Sequence, residues 1–99
     1  MRKVLVQIQY EVDPAKRDAY LAHVREMREH AAEILRIDYQ VFEDLEHPGR
    51  FTEIFTCESV EEYETLDDRQ DDRFRDLVAR LDRFTDLERV TYNALAALA

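Results

Sequence analysis

The chain has 99 residues, 45% of them hydrophobic, and a net charge of −9 from 23 acidic and 14 basic side chains. That length gives one domain with a modest core, and that apolar share excludes a disordered tail. The acidity argues against nucleic acid and anionic membrane surfaces as partners, and the single cysteine, Cys57, excludes an intramolecular disulfide and a multi-cysteine metal site.

Met1-Arg2-Lys3 is followed by only Val4-Leu5-Val6 before Gln7, too short an apolar stretch for a signal peptide. No apolar run approaches the ~18 residues of a membrane span, so a cytoplasmic protein is expected. Val4 to Tyr10 alternates as a first strand, with Val4, Val6, Ile8 and Tyr10 on one face and Leu5, Gln7 and Gln9 on the other. Asp13-Pro14 then opens a helix, Asp13 as its cap and Pro14 at the first turn, where a missing N–H costs nothing. The helix is predicted from Pro14 to Leu35, and Tyr20, Val24, Met27, Ala31 and Ile34 form its apolar stripe.

Arg36 to Asp44 and Phe51 to Glu58 read as a second and third strand joined by a hairpin. Pro48 and Gly49, the only glycine, fit the second and third positions of a type II turn. Ser59-Val60-Glu61-Glu62 fits a capping box, with Ser59 capping and Glu62 reaching back. The second helix therefore starts near Val60, with Val60, Tyr63 and Leu66 on its apolar edge. Asp67 to Asp72 is poor helix material and predicts a break. Phe74, Leu77, Val78, Leu81 and Phe84 then resume the stripe, and Leu87 to Ala96 is the last strand.

The order β-α-β-β-α-β predicts an α+β, ferredoxin-like domain spanning residues 1–99: one four-stranded antiparallel sheet with both helices on one face. The helices should cover the face bearing Val4, Val6, Ile8, Tyr39, Val41, Phe55, Val90 and Tyr92. The other face, with Leu5, Phe42, Ile54 and Leu95 among glutamines, threonines and Asn93, is too apolar for water and too polar for an ordinary core. It suits a second copy of itself, so a homodimer is expected.

Three stretches carry a family resemblance: Val4 to Pro14, the hairpin Phe42 to Phe55 with its Pro48-Gly49-Arg50-Phe51 turn, and Glu58 to Tyr63. Together they resemble the dimeric α+β barrel superfamily, and within it the antibiotic-biosynthesis-monooxygenase-like proteins. The resemblance covers nearly the whole chain. It implies a homodimer, no cofactor, and oxidation or isomerisation of a small aromatic or cyclic compound. Haem degradation is set aside, because Gln7 stands where those members carry an asparagine and the chain has no tryptophan. The hairpin is also similar to the soluble domain that follows some major-facilitator-type transporters. Ser59 and Arg69-Gln70 match that pattern, while Val60 and Asp71 replace its tryptophan and histidine. This second likeness implies a non-catalytic ligand-binding or dimerisation module.

Glu53 is the candidate catalytic residue. Alternation places it with Phe51, Phe55 and Cys57 on the face towards the helices, where desolvation would raise its pKa and make it an acid or base near neutrality. The structural alternative is an ion pair with Arg50 or Arg73. Tyr10, Tyr39, Tyr63 and Tyr92 project towards the same layer, as core aromatics or as contacts to a phenolic substrate. Tyr39, Tyr63 and Tyr92 are the candidate substrate contacts, with Arg73 supplying a positive charge. His23, Glu26, His30 and Glu33 form a helical stripe, but His23 and His30 lie about 10 Å apart along the axis, so a shared metal ion would be strained and no metal is expected. Cys57 reads as a small buried hydrophobe.

Overall fold

The structure is a computed structural model and describes residues 2–98. Four strands, β1 (Val4–Glu11), β2 (Asp38–Glu43), β3 (Arg50–Cys57) and β4 (Thr91–Ala96), form one sheet in the order β2-β3-β1-β4. Every neighbouring pair is antiparallel. The helices are α1 (Arg17–His30), α2 (Val60–Glu64) and α3 (Asp72–Ala79). This is the ferredoxin-like arrangement. No helix among the described residues is long and apolar enough to cross a membrane.

The hairpin between β2 and β3 closes as its composition demands. Arg50 N–H donates to the His47 carbonyl at 3.0 Å, and Gly49 sits at φ +93°, the positive value a type II turn needs at its third position. The Glu43 carboxylate accepts from Gly49 N–H at 3.0 Å and is clasped by the Arg17 guanidinium, which ties the hairpin base to the start of α1. The Gly49 carbonyl accepts from Val12 N–H at 2.9 Å, so the turn also anchors the end of β1.

Alternation along β3 is strict: Phe51, Glu53, Phe55 and Cys57 are buried and the residues between them are half-exposed. In register, Val4 faces Cys57, Val6 faces Phe55, Ile8 faces Glu53 and Tyr10 faces Phe51. Tyr39 faces Phe55 and Val41 faces Glu53 from the other side. Tyr20, Val24, Met27 and Ala31 of the first helix, with Leu66, Phe74, Leu77 and Leu81 from the second helical region, close the core over this face.

Five expectations are corrected. Ile34 is 64% exposed, because the first helix ends in a π-helical turn, Ala31–Leu35. The wider turn passes the inward position to Leu35, which packs on the core. The turn stops at Arg36, which adopts the left-handed conformation at φ +57° while the Ala31 carbonyl accepts from Ile37 N–H at 2.9 Å. Leu87 to Arg89 is a 3-10 turn rather than strand, since Asp86 accepts from Glu88 N–H and Arg89 N–H locally. Val60 and Val78 lie exposed on helix flanks rather than in the buried stripes.

A fourth correction concerns β4. Tyr92, placed by phase on the helix side opposite Ile8, is 57% exposed, and every residue of β4 is exposed. The helical region after β3 is cut at the acidic stretch into α2, a 3-10 turn Asp67–Arg69, and α3, with Asp71 capping α3 through Phe74 N–H at 2.9 Å. These short pieces leave β4 exposed. Ser59 caps α2 as expected, but Glu62 reaches back to Glu58 N–H, at 2.6 Å, instead of to that of Ser59.

Candidate functional site

Glu53 sits in the middle of the sheet, between Ile8 on β1 and Val41 on β2, and its side chain enters the layer beneath the helices. It is the one buried charged residue among the described residues, 3% exposed. No arginine reaches it: Arg50 pairs with Glu11 at 3.4 Å, and Arg73 pairs with Glu26 and Asp76 on the helical surface. Both ion-pair partners read from the sequence are therefore engaged elsewhere, and Arg73 is not brought to Glu53.

Tyr39 donates its hydroxyl to Glu53 Oε1 at 2.7 Å. Its ring is held by Phe55, 4.8 Å between centroids, and edge-on by Phe74 at 5.7 Å; Met27 Sδ lies 4.0 Å from the hydroxyl. Beside this pair the hydroxyls of Tyr10 and Tyr20 hydrogen-bond at 2.7 Å. Burial pushes the Glu53 carboxyl above the usual carboxylate range, against the pull of the Tyr10 and Tyr39 hydroxyls and of nearby His23. Burial and the Glu53 charge in turn push the Tyr39 and Tyr10 hydroxyls upward, so both remain hydrogen-bond donors rather than phenolates.

Tyr63 and Tyr92 form a separate surface pair, with hydroxyls 3.5 Å apart. Their contact, ahead of partial burial, pushes Tyr92 up to about 12. The five tyrosines thus divide into a buried group around Glu53 and a pair at the β4 edge, half-buried Tyr63 and exposed Tyr92. Tyr20 and His23 are the residues that sequence reasoning missed. Tyr20 stands on the buried helix stripe, and a buried hydroxyl must find a partner, which was the available signal. His23 donates through Nε2–H to the Leu77 carbonyl at 2.7 Å, a pairing between helices that no spacing in the chain announces.

The histidine stripe does not converge on an ion. His23 is spent on Leu77, Glu26 on Arg73, and His30 on Asp71, with Nε2 2.8 Å from Oδ2. Cys57 is buried, and burial pushes its thiol up, away from the reactive thiolate. Cavities of about 510, 520 and 260 Å³ open at the hairpin base, at the β1–β4 end, and between α1 and β2. None is lined by Glu53; its immediate surroundings are packed side chains.

No family model matches the chain, and no curated protein does. Solved structures do. A conserved protein from Methanosarcina mazei Go1 superposes with a TM-score of 0.79 at 21% identity, over 96% of this chain and 92% of the other. A Mycobacterium tuberculosis protein gives 0.75 at 18%, over 98% and 96%. A protein named as an antibiotic biosynthesis monooxygenase gives 0.69 at 24%, over 100% and 98%. The chain has their fold.

Proposed function

We propose that this protein is a homodimeric, cofactor-independent monooxygenase or isomerase of a small aromatic or cyclic compound, with Glu53 as its general acid–base and Tyr39 fixing the carboxyl. The observation that carries the reading is a buried carboxyl with no cationic partner among the described residues, held by a tyrosine between sheet and helices. A fold is costly to build around such a group, and a raised pKa suits it to accept a proton near neutrality. The fold shared with a protein named as a monooxygenase supports the same chemistry by analogy.

In this reading Glu53 removes a proton from an activated ring carbon or a phenol. Return of that proton at another carbon gives an isomer. With dioxygen as oxidant, a ring methylene R₂CH₂ becomes a ketone R₂C=O, and the second oxygen atom leaves as water. Tyr39 holds the carboxyl in place, and Tyr63 and Tyr92 stand where a partner subunit or a larger substrate would meet the β4 edge. Pairing through the outer sheet face is supported by exposed Phe42 and Leu95 on that face.

The packing around Glu53 favours a second reading, a non-catalytic ligand-binding or dimerisation module, because none of the three cavities described above is lined by Glu53. Glu53→Gln separates the two. Oxygen uptake and product formation on a panel of phenols and ring ketones should fall by about two orders of magnitude or more in the variant, the usual contribution of a general base, while the melting temperature is maintained. Absence of turnover by the native protein across the panel would leave the second reading standing.

A further inference from the structure

The flank of α1 that faces β2 holds the cavity of about 260 Å³. Leu21, Val24, Val41 and Phe51 line it with apolar side chains, beside Arg25 and Arg28. Three residues apart on one helix, these two arginines share a side, with their Cβ atoms about 5–6 Å apart. Neither makes an ion pair among the described residues, although the chain carries a net charge of −9 and Arg17, Arg50, Arg69, Arg73, Arg75, Arg80 and Arg89 all do. Arg2, Arg36 and Arg83 make none either, but Arg25 and Arg28 line one cavity together. Glu43 also lines the cavity as a carboxylate, and its charge is paired with Arg17.

We propose that this cavity binds a small aromatic carboxylate, its ring on Val24, Val41 and Phe51 and its carboxylate on Arg25 and Arg28. Arginine forks match the two oxygens of a carboxylate. The apolar side chains in the lining disfavour a bare inorganic anion, and a volume of about 260 Å³ has room for an aromatic ring. Glu43 and Phe51 also line the larger cavity at the hairpin base.

The apolar lining also adjoins Glu53. Val41 is the direct cross-strand neighbour of Glu53, Phe51 lies two residues before it on the same face, and Val24 precedes Met27, whose sulfur touches the Tyr39 hydroxyl. The charge of Arg28 already bears on Tyr39, pulling that hydroxyl down against burial. One layer of side chains divides the bound ring from the buried carboxyl. The binding site stands on its own geometry; the step from ligand to substrate rests on the reading of Glu53 given above.

Benzoate is the probe. Titrated into the full chain and followed by amide chemical shifts and calorimetry, it should saturate in the millimolar range or below, with shifts at Leu21, Arg25, Arg28 and Val41. Arg25→Gln with Arg28→Gln should weaken binding by about tenfold or more, and neutral benzamide should bind native protein about tenfold more weakly than benzoate, a difference of about 1.4 kcal/mol. Arg83→Gln, outside the cavity, should bind benzoate as the native chain does. Equal binding by the double variant, equal binding of benzamide, or shifts centred elsewhere would overturn the proposal. Sulfate binding as tightly as benzoate would overturn the aromatic part. Glu53→Gln should still bind benzoate: loss of turnover with binding intact supports both readings, whereas binding with undiminished turnover refutes only the catalytic one.

Discussion

Replacing Tyr39 with phenylalanine deletes one oxygen and keeps the ring between Phe55 and Phe74. What it removes is the 2.7 Å hydrogen bond to a carboxyl that is 3% exposed. Leaving a buried acceptor unsatisfied costs about 1–3 kcal/mol, and more when the group is charged. For a domain of 99 residues each 1 kcal/mol lowers the melting temperature by roughly 4–8 °C. The penalty must depend on pH, and the sign follows from the raised pKa of Glu53. The folded protein keeps this proton where the unfolded chain has lost it, so stability falls as pH rises from the unfolded pKa through the folded one. Tyr39→Phe takes away a bond that lowers the folded pKa, so it extends that fall to higher pH. The loss should lie near the low end of the range, about 1 kcal/mol, at pH 4 and near or above about 3 kcal/mol at pH 8. Carboxylates with lowered pKa values, such as Glu43 and Asp71, slope the opposite way but cancel between native and variant. Circular-dichroism melts of native, Tyr39→Phe and Glu53→Gln proteins across pH 4 to 8 make the measurement. Glu53→Gln keeps an oxygen for the Tyr39 hydroxyl and has no charge to bury, so its stability relative to native protein should rise with pH. A Tyr39→Phe penalty that is equal at both ends, or larger in acid, would refute the reasoning.

Further outcomes follow from the hairpin and the outer sheet face. Gly49→Ala puts a side chain at φ +93°, and should cost about 1–2 kcal/mol by the left-handed penalty alone, since the new Cβ meets the Val12 carbonyl oxygen at an ordinary 3.5 Å; an unchanged melting temperature would contradict the turn assignment. The Arg17 guanidinium and Gly49 N–H hold the Glu43 carboxyl down at about 2. Its stabilising contribution is present above the unfolded pKa and lost as pH falls towards 2, so Glu43→Gln should flatten acid denaturation between pH 4.5 and 2. Phe42, 54% exposed on the outer face, should be covered in a dimer. Native protein should sediment as a dimer at micromolar concentration and Phe42→Lys as a monomer; a monomeric native protein would sink the pairing.

The fold was legible because local signals agreed with one another. Asp13-Pro14, Ser59 and Pro48-Gly49 each do in the structure what their chemistry favours. Strand phase, read from alternation, placed Glu53 on the buried face. What escaped was decided by hydrogen bonds between elements distant in sequence. The π-helical turn that exposes Ile34 depends on the Ala31 carbonyl, and the bare β4 edge depends on how far three short helical pieces reach. Alternation carried Tyr92 to the correct side of the sheet but could not say whether anything would cover it. The partners of Glu53 were hidden for the same reason: Arg50 and Arg73 were available in the sequence, and Glu11, Glu26 and Asp76 took them.

The central claim is that Glu53 is a desolvated carboxyl held by Tyr39 rather than a structural anion. Its titration tests this most directly. With glutamate labelled at the side-chain carboxyl carbon, and the Glu53 signal assigned by its loss in Glu53→Gln, the resonance should titrate with a midpoint above the ordinary glutamate range, and higher still in Tyr39→Phe. A midpoint at or below the ordinary value of about 4.3, unmoved by Tyr39→Phe, would contradict the account.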